Sequence, residues 1–281
     1  MKSIDALTQF LQTHPDVETF EVILHDLNGI HRGKWLPREQ IDKLFEGGYK
    51  MPQSTCSLDC WGRDLEQLVA ATGDTDGICT PHPETLAVVP WASRPTAQII
   101  VSMLSPDGQS AYPADPRVVL QQVLARYTKL GLTPVVASEM EFHLLEIDRD
   151  QFGRPQHTQR ALDGSPALGG ATYGIEAMRK IAPLMDAISS TAGQQNLPVD
   201  TLISEFGASQ CEINLHYQDC ALRACDQASM LRRAIRAVAH QQGKQASFMA
   251  KPYADRPGNG MHLHISLLDG KGKNVFDDGS D

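Results

Sequence analysis

The sequence predicts an α+β chain in two parts. Residues 1–110 read as a small, strand-rich domain, and residues 111–281 as a larger domain in which strands alternate with long helices. Three observations carry this. Short β-type runs in the first part are closed by Asn-Gly and Pro-Asp-Gly turns. A sharp helix start stands at Asp115-Pro116. Three later strand-like segments carry polar residues two apart, the spacing that puts side chains on one face of a strand.

The elements follow in order. Residues 1–14 predict an amphipathic helix, because Asp5 and Gln9 break the apolar run an export signal needs. Residues 19–24 (TFEVIL) predict a strand, followed by a tight turn at Asn28-Gly29. Residues 86–89 and 97–103 predict two more strands, with a turn at Pro106-Asp107-Gly108. Asp115 can cap a helix and Pro116 suits its first position. Val118, Val119, Val123, Leu124 and Leu130 then fit one broad face, ended by Gly131. Residues 134–145 predict a strand, and the Gly- and Pro-rich stretch 150–172 a loop. Residues 175–192 predict a helix stopped by Gly193, and 203–216 a strand pair or one bulged strand. A long helix over 221–242 ends at Gly243, and strands follow at 245–250 and 261–268.

Composition excludes several function classes. With 41% hydrophobic and 21% charged residues, the chain can bury a core and is not generally disordered. Its net charge of −9, with no basic stripe, argues against a nucleic-acid partner. No apolar run reaches the length of a membrane span. The six cysteines form no CxxC pair, so reduced structural cysteines and a cytoplasmic location are expected.

Chemistry concentrates in three segments. In Ser138-Glu139-Met140-Glu141-Phe142, the two glutamates share one strand face and Met140 and Phe142 the other. In the stretch from Glu205 to Asn214, Glu212 and Asn214 share a face, and Gly207-Ala208-Ser209 lets the backbone bend so that Glu205 rejoins them. In Gly258-Asn259-Gly260-Met261-His262-Leu263-His264, the two histidines share a face. Each motif alone is ordinarily a solvated sheet face. Together they are more specific. Carboxylates aimed the same way from apolar strands repel one another and resist burial, and a divalent cation removes that penalty. Oxygen-rich ligands with an imidazole suit Mg²⁺ or Mn²⁺, and the lack of thiolate argues against structural zinc.

These motifs resemble the glutamine synthetase superfamily. Its catalytic half carries an ExE strand, an E…G…QxE segment and a KP…GxGMHxH segment, which here read SEMEF, EFGASQCEIN and KPYADRPGNGMHLHISL. DLNGIHRGK resembles the family's small N-terminal β-grasp domain, and YPADPRVVLQQVLARYTKLG the helix that opens its catalytic domain, a curved antiparallel sheet with helices. The resemblance implies an ATP-dependent carbon–nitrogen ligase. Glutamate's γ-carboxylate attacks the ATP γ-phosphate, and an amine then displaces phosphate. It implies that Glu141, Glu205 and Glu212 hold one Mg²⁺ or Mn²⁺ and that Glu139 and His262 hold a second, with Glu205 and Glu212 also catalytic. His264 would face the ATP phosphates, and Gly258 would lie where glutamate packs on backbone. It also implies homo-oligomeric rings with active sites between subunits.

Two departures bear on the amine. Where ammonia-using members carry an FDGSS-like aspartate, residues 51–62 read MPQSTCSLDCWG, which resembles the γ-glutamylpolyamine or γ-glutamylputrescine synthetases. Pro257 replaces the Asn of the family's NGSG loop. Leu58 and Trp61 flank Asp59, which suits an alkyl amine such as putrescine better than ammonium. Asp76 reads as a turn cap rather than an ammonium ligand. Arg32-Gly33-Lys34 reads as a basic, solvated turn. Family members run well past residue 300, so the resemblance implies that the C-terminal part is absent and that this chain alone is not fully active. The alternatives are a glutamine synthetase using ammonia, or a truncated, non-catalytic homologue.

Overall fold

The computed structural model describes residues 3–158, 162–165, 167, 169–170 and 172–279. Contacts divide the chain into two compact units, Met1–Arg126 and Tyr127–Asp281. Among the described residues no helix is long and apolar enough to cross a membrane.

The first unit is a mixed sheet with helices against it. Its elements are α1 (Ser3–Thr13), β1 (Thr19–His25), β2 (His31–Pro37), α2 (Ile41–Gly47), β3 (Tyr49–Pro52), α3 (Glu66–Thr72), β4 (Asp76–Pro81), β5 (Ala87–Val88) and β6 (Thr96–Leu104). The order is β2-β1-β6-β4-β3, with β5 beside β6. Only β1 and β6 run parallel. Alternating residues of β1 and β6 (Phe20, Val22 and Leu24; Ala97, Ile99, Val101 and Met103) pack with Leu7 of α1 and Ile41 and Leu44 of α2. The expected helix, strands and turns are present, but the region holds two further helices and three further strands. Strand β2 escapes the pattern because HRGKWLP has no apolar alternation. It is an edge strand, where charge and proline guard against mispairing. Arg32 and Lys34 therefore lie in a strand. The turn is Asp26–Ile30, where Asp26 Oδ1 accepts the N–H groups of Asn28 and Ile30 and Gly29 takes φ +66°. Arg32 is paired at 2.9 Å to the buried Asp26.

Helix α4 (Pro116–Lys129) starts as expected. Asp115 Oδ1 accepts the Arg117 N–H at 2.8 Å, and its Oδ2 accepts the Met103 N–H at 2.8 Å, tying the cap to β6. The expected apolar face is not buried. Val118 is, but Val119, Val123 and Leu130 are exposed.

The second unit is one antiparallel sheet backed by two helices. Its centre is β7 (Thr133–Arg149), a strand of 17 residues. The other elements are β8 (Pro155–His157), α5 (Ile175–Gln194), β9 (Val199–Ser204), β10 (Gln210–Leu215), α6 (Ala221–Gln241), β11 (Lys244–Ser247) and β12 (Met261–Leu268). The order is β11-β7-β10-β9, and β12 and β8 also pair with β7. Strands β12 and β11 thus flank successive stretches of β7. Met140, Phe142, Ile213, Leu184, Ile188, Leu231 and Ile235 form the core. Of the strand pair expected over 203–216, β10 lies inside the range, but β9 begins earlier, at Val199, with a register shift between Ile213 and Leu215. Gly193 does not stop α5, which runs one residue further and turns at Asn196, φ +55°. In the expected loop, β8 is a short strand, and residues 159–161, 166, 168 and 171 lie outside the described residues, as do Met1 and Lys2.

Candidate metal centre

Strand register assembles the site. On β7, Glu139 stands opposite Asn214 of β10 and His262 of β12, and Glu141 stands opposite Glu212. Met140 and Phe142 are buried on the other face, so the hydrophobic pattern fixes which way the glutamates point. One ligand atom each from Glu139, Glu212 and His262 lie within 4.8 Å of one another. His262 Nδ1 is 3.3 Å from Glu139 Oε2, and His264 Nε2 is 3.0 Å from Glu139 Oε1. This trio crosses the two expected ligand sets, because it draws Glu212 toward Glu139.

Glu205 returns as the bend allows. Its N–H donates to Gln210 O at 2.9 Å, across a turn in which Ser209 takes φ +56°. Gly207 has no room for a side chain: a Cβ there would lie 2.6 Å from Gln210 Oε1 and 2.7 Å from His143 Cε1. Burial holds the Glu205 carboxyl above its usual range, and Glu141 adds repulsion. The Glu212 carboxyl is raised too, by burial first and by Glu139, Glu205 and Glu141, against a hydrogen bond from Asn214. The Asn214 Oδ1 is buried without a hydrogen-bond partner. These groups are uncomfortable as they stand, and a hard divalent cation fits them.

One residue escaped sequence reasoning. Gln210 is buried, and its Nε2 donates to Glu141 Oε2 and to Gly258 O, each at 2.8 Å. Its Oε1 accepts the Gly207 N–H at 3.0 Å. It lies in the motif that flagged Glu212, so spacing could have found it. Gly258 is outside the carboxylate trio. A Cβ there would meet Ala250 O at 2.4 Å, so only glycine lets the two backbones approach. His143 Nε2–H donates to Pro257 O at 3.1 Å, and burial lowers the His143 pKa. Next to the cluster is a cavity of about 480 Å³ lined by Glu139, Asn214, His264, Ser266, Tyr217 and Asp200, among others.

In the first unit, Asp59 does not stand in an apolar pocket. Its Oδ1 accepts the N–H groups of Trp61 and Arg63, each at 2.8 Å, and Trp61 is 77% exposed. Local Asx geometry dominates this loop. Asp76 opens β4 opposite Pro52. No disulfide joins the cysteines, and Cys56, Cys79 and Cys211 are buried.

Comparison with known proteins shows the family and the fold. The family described as "Glutamine synthetase, catalytic domain" matches residues 113–281. The γ-glutamylputrescine synthetase PuuA of Escherichia coli strain K12 is 34% identical over 274 residues, 96% of this chain and 57% of that protein. The glutamine synthetase of Halobacterium salinarum is 32% identical over 259 residues, 91% of this chain and 52% of that one. A GmaS/ADP complex superposes with TM-score 0.80 at 25% identity, covering 96% of this chain and 57% of that one. The chain therefore spans about half the length of the curated relatives it matches.

Proposed function

The chain belongs to the glutamine synthetase family, and from that premise we propose that it serves ATP-dependent ligation of an amine, such as putrescine, to the γ-carboxylate of glutamate. The observation that carries this reading is the meeting of Glu139, Glu212 and His262 from three strands. On this reading Glu139, Glu141, Glu205, Glu212 and His262 hold Mg²⁺ or Mn²⁺. Bound there, the metal supplies positive charge to phosphoryl oxygens. Glu205 and Glu212 also act on the reacting groups, as an acceptor for the amine's proton and a fixed negative charge. His264 borders both Glu139 and the adjacent cavity, which suits it to nucleotide phosphates, and Tyr217 offers an aromatic face there. Gln210 holds Glu141 in place, and the close backbone at Gly258 offers glutamate a flat approach.

The functional boundary near residue 110, the cytoplasmic location and ring assembly with sites between subunits belong to the same proposal. Support for a polyamine over ammonia comes from the 51–62 sequence, which lacks the FDGSS-like aspartate although it forms no apolar pocket around Asp59, and from likeness to a γ-glutamylputrescine synthetase. Likeness to a glutamine synthetase keeps ammonia as the second reading. The test is ADP release by the protein at the length its gene encodes, with glutamate and either putrescine or ammonium. Faster release with putrescine is expected. A strong preference for ammonium would select the second reading, and silence with both amines would end the ligase reading.

A further inference from the structure

A second concave feature lies in the Tyr127–Asp281 unit. It is a cleft of about 760 Å³ formed by α6, β11 and the end of β7, and it shares no lining residue with the cavity beside Glu139. Arg149, Arg232, Arg236, His240 and Lys244 all line it. The three from α6 are spaced four apart, so they form one stripe along the helix. On a chain of net charge −9, this is a concentrated exception.

The charges are only partly answered. Lys244 Nζ is held by both oxygens of Glu146, at 2.9 and 2.8 Å, which neutralises it. Arg149 Nη1 donates to Gly153 O at 3.1 Å, a neutral acceptor. Arg236 lies over the Phe248 ring, 5.5 Å from its centroid, again without a charge to meet. Among the described residues neither arginine is paired with a carboxylate. Burial also pulls the Arg236 pKa down, which is the mark of a cation kept from water without an anion. A guanidinium presents paired donors that match carboxylate and phosphate oxygens. Clefts of roughly 300–1,000 Å³ suit small molecules, and Leu145, Pro155 and Phe248 add apolar contact for a carbon skeleton.

We propose that this cleft binds a small organic anion bearing phosphate or carboxylate groups, held by Arg149 and Arg236. The site is independent of the ligase reading and stands or falls separately.

The test is titration calorimetry on the 281-residue chain freed of divalent metal. Inorganic pyrophosphate and citrate serve as probes, so that the two arms separate phosphate from carboxylate chemistry. Saturable binding of at least one probe is expected. Arg236→Gln and Arg149→Gln should each weaken it about tenfold or more, the worth of one charge-assisted hydrogen bond. Lys271→Gln, on an exposed turn that lines neither cavity, should leave it unchanged. Circular dichroism checks each variant's fold. Arg149 lies at a strand end with one loop carbonyl to lose, so it keeps the test decisive if Arg236→Gln unfolds. Absence of saturable binding for both probes, full binding by a folded arginine variant, or loss of binding in Lys271→Gln would overturn the proposal.

Discussion

Glu212→Gln should move stability in opposite directions with and without metal. In the metal-free chain it removes one of two carboxylates whose facing atoms lie within 4.8 Å. Two negative charges at that distance repel by about 3.5 kcal/mol at an effective dielectric near 20, and by about 0.9 kcal/mol in bulk water. Glu212 is 7% exposed, so the true cost lies between these limits. Relief of roughly 1–3 kcal/mol should raise the melting temperature by about 2–12 °C, at ~2–4 °C per kcal/mol. The substituted amide still accepts the hydrogen bond from Asn214, so little is lost in exchange. With Mn²⁺ at about 100 times its dissociation constant, the parent gains about 2.7 kcal/mol, and the variant gains much less. The assay is a far-UV circular dichroism melt with and without Mn²⁺. All three tryptophans (Trp35, Trp61 and Trp91) lie before residue 126, so their fluorescence monitors the other unit as an internal control. A variant that melts several degrees lower without metal, or keeps the full Mn²⁺ shift, would refute the reasoning.

Three further outcomes are expected. Gln210→Ala should cost about 2–4 kcal/mol, since it removes donors to Glu141 and Gly258 and strands the Gly207 N–H; Gln210→Glu should be worse, and dichroism melts read both. Gly33→Ala would place a Cβ 1.7 Å from Val22 O at φ +153°, so it should lower the tryptophan-monitored transition by on the order of 3 kcal/mol. Maleimide labelling with mass spectrometry should modify the exposed Cys60 and Cys225 in the folded chain. Cys56, Cys79 and Cys211 should react only in denaturant, because burial pushes their thiols up, Cys79 to about 12.

The placement of each residue shows why some features were legible and others not. Period-two spacing exposes Glu139/Glu141, Glu212/Asn214 and His262/His264, because one face of each strand is committed to the core. The Asp115-Pro116 start was readable because capping is local chemistry. Gln210 stood in the QxE motif and its position was readable, but its role was not, because its partners Glu141 and Gly258 are 69 and 48 residues away. Edge strand β2 hid behind charged residues that an edge tolerates. The exposure of Trp61 follows from the turn Asp59 makes with its own neighbours, which side-chain polarity alone does not reveal.

The same energies explain why the carboxylates stay together. They could escape repulsion only if β7 or β10 slipped by one residue. A slip would turn every side chain over, moving Met140 and Phe142, or Cys211 and Ile213, from the core to the outside. Burying such side chains is worth about 1.5–3 kcal/mol each, and the ladder bonds to the flanking strands would break with them. That sum exceeds the repulsion estimated for Glu139 and Glu212. Burial on one face therefore holds the other in a charged, strained arrangement. That repulsion is small enough for a divalent cation to offset it, so on the proposed reading metal would complete the cluster, and its affinity should rise as the core behind it is made more rigid.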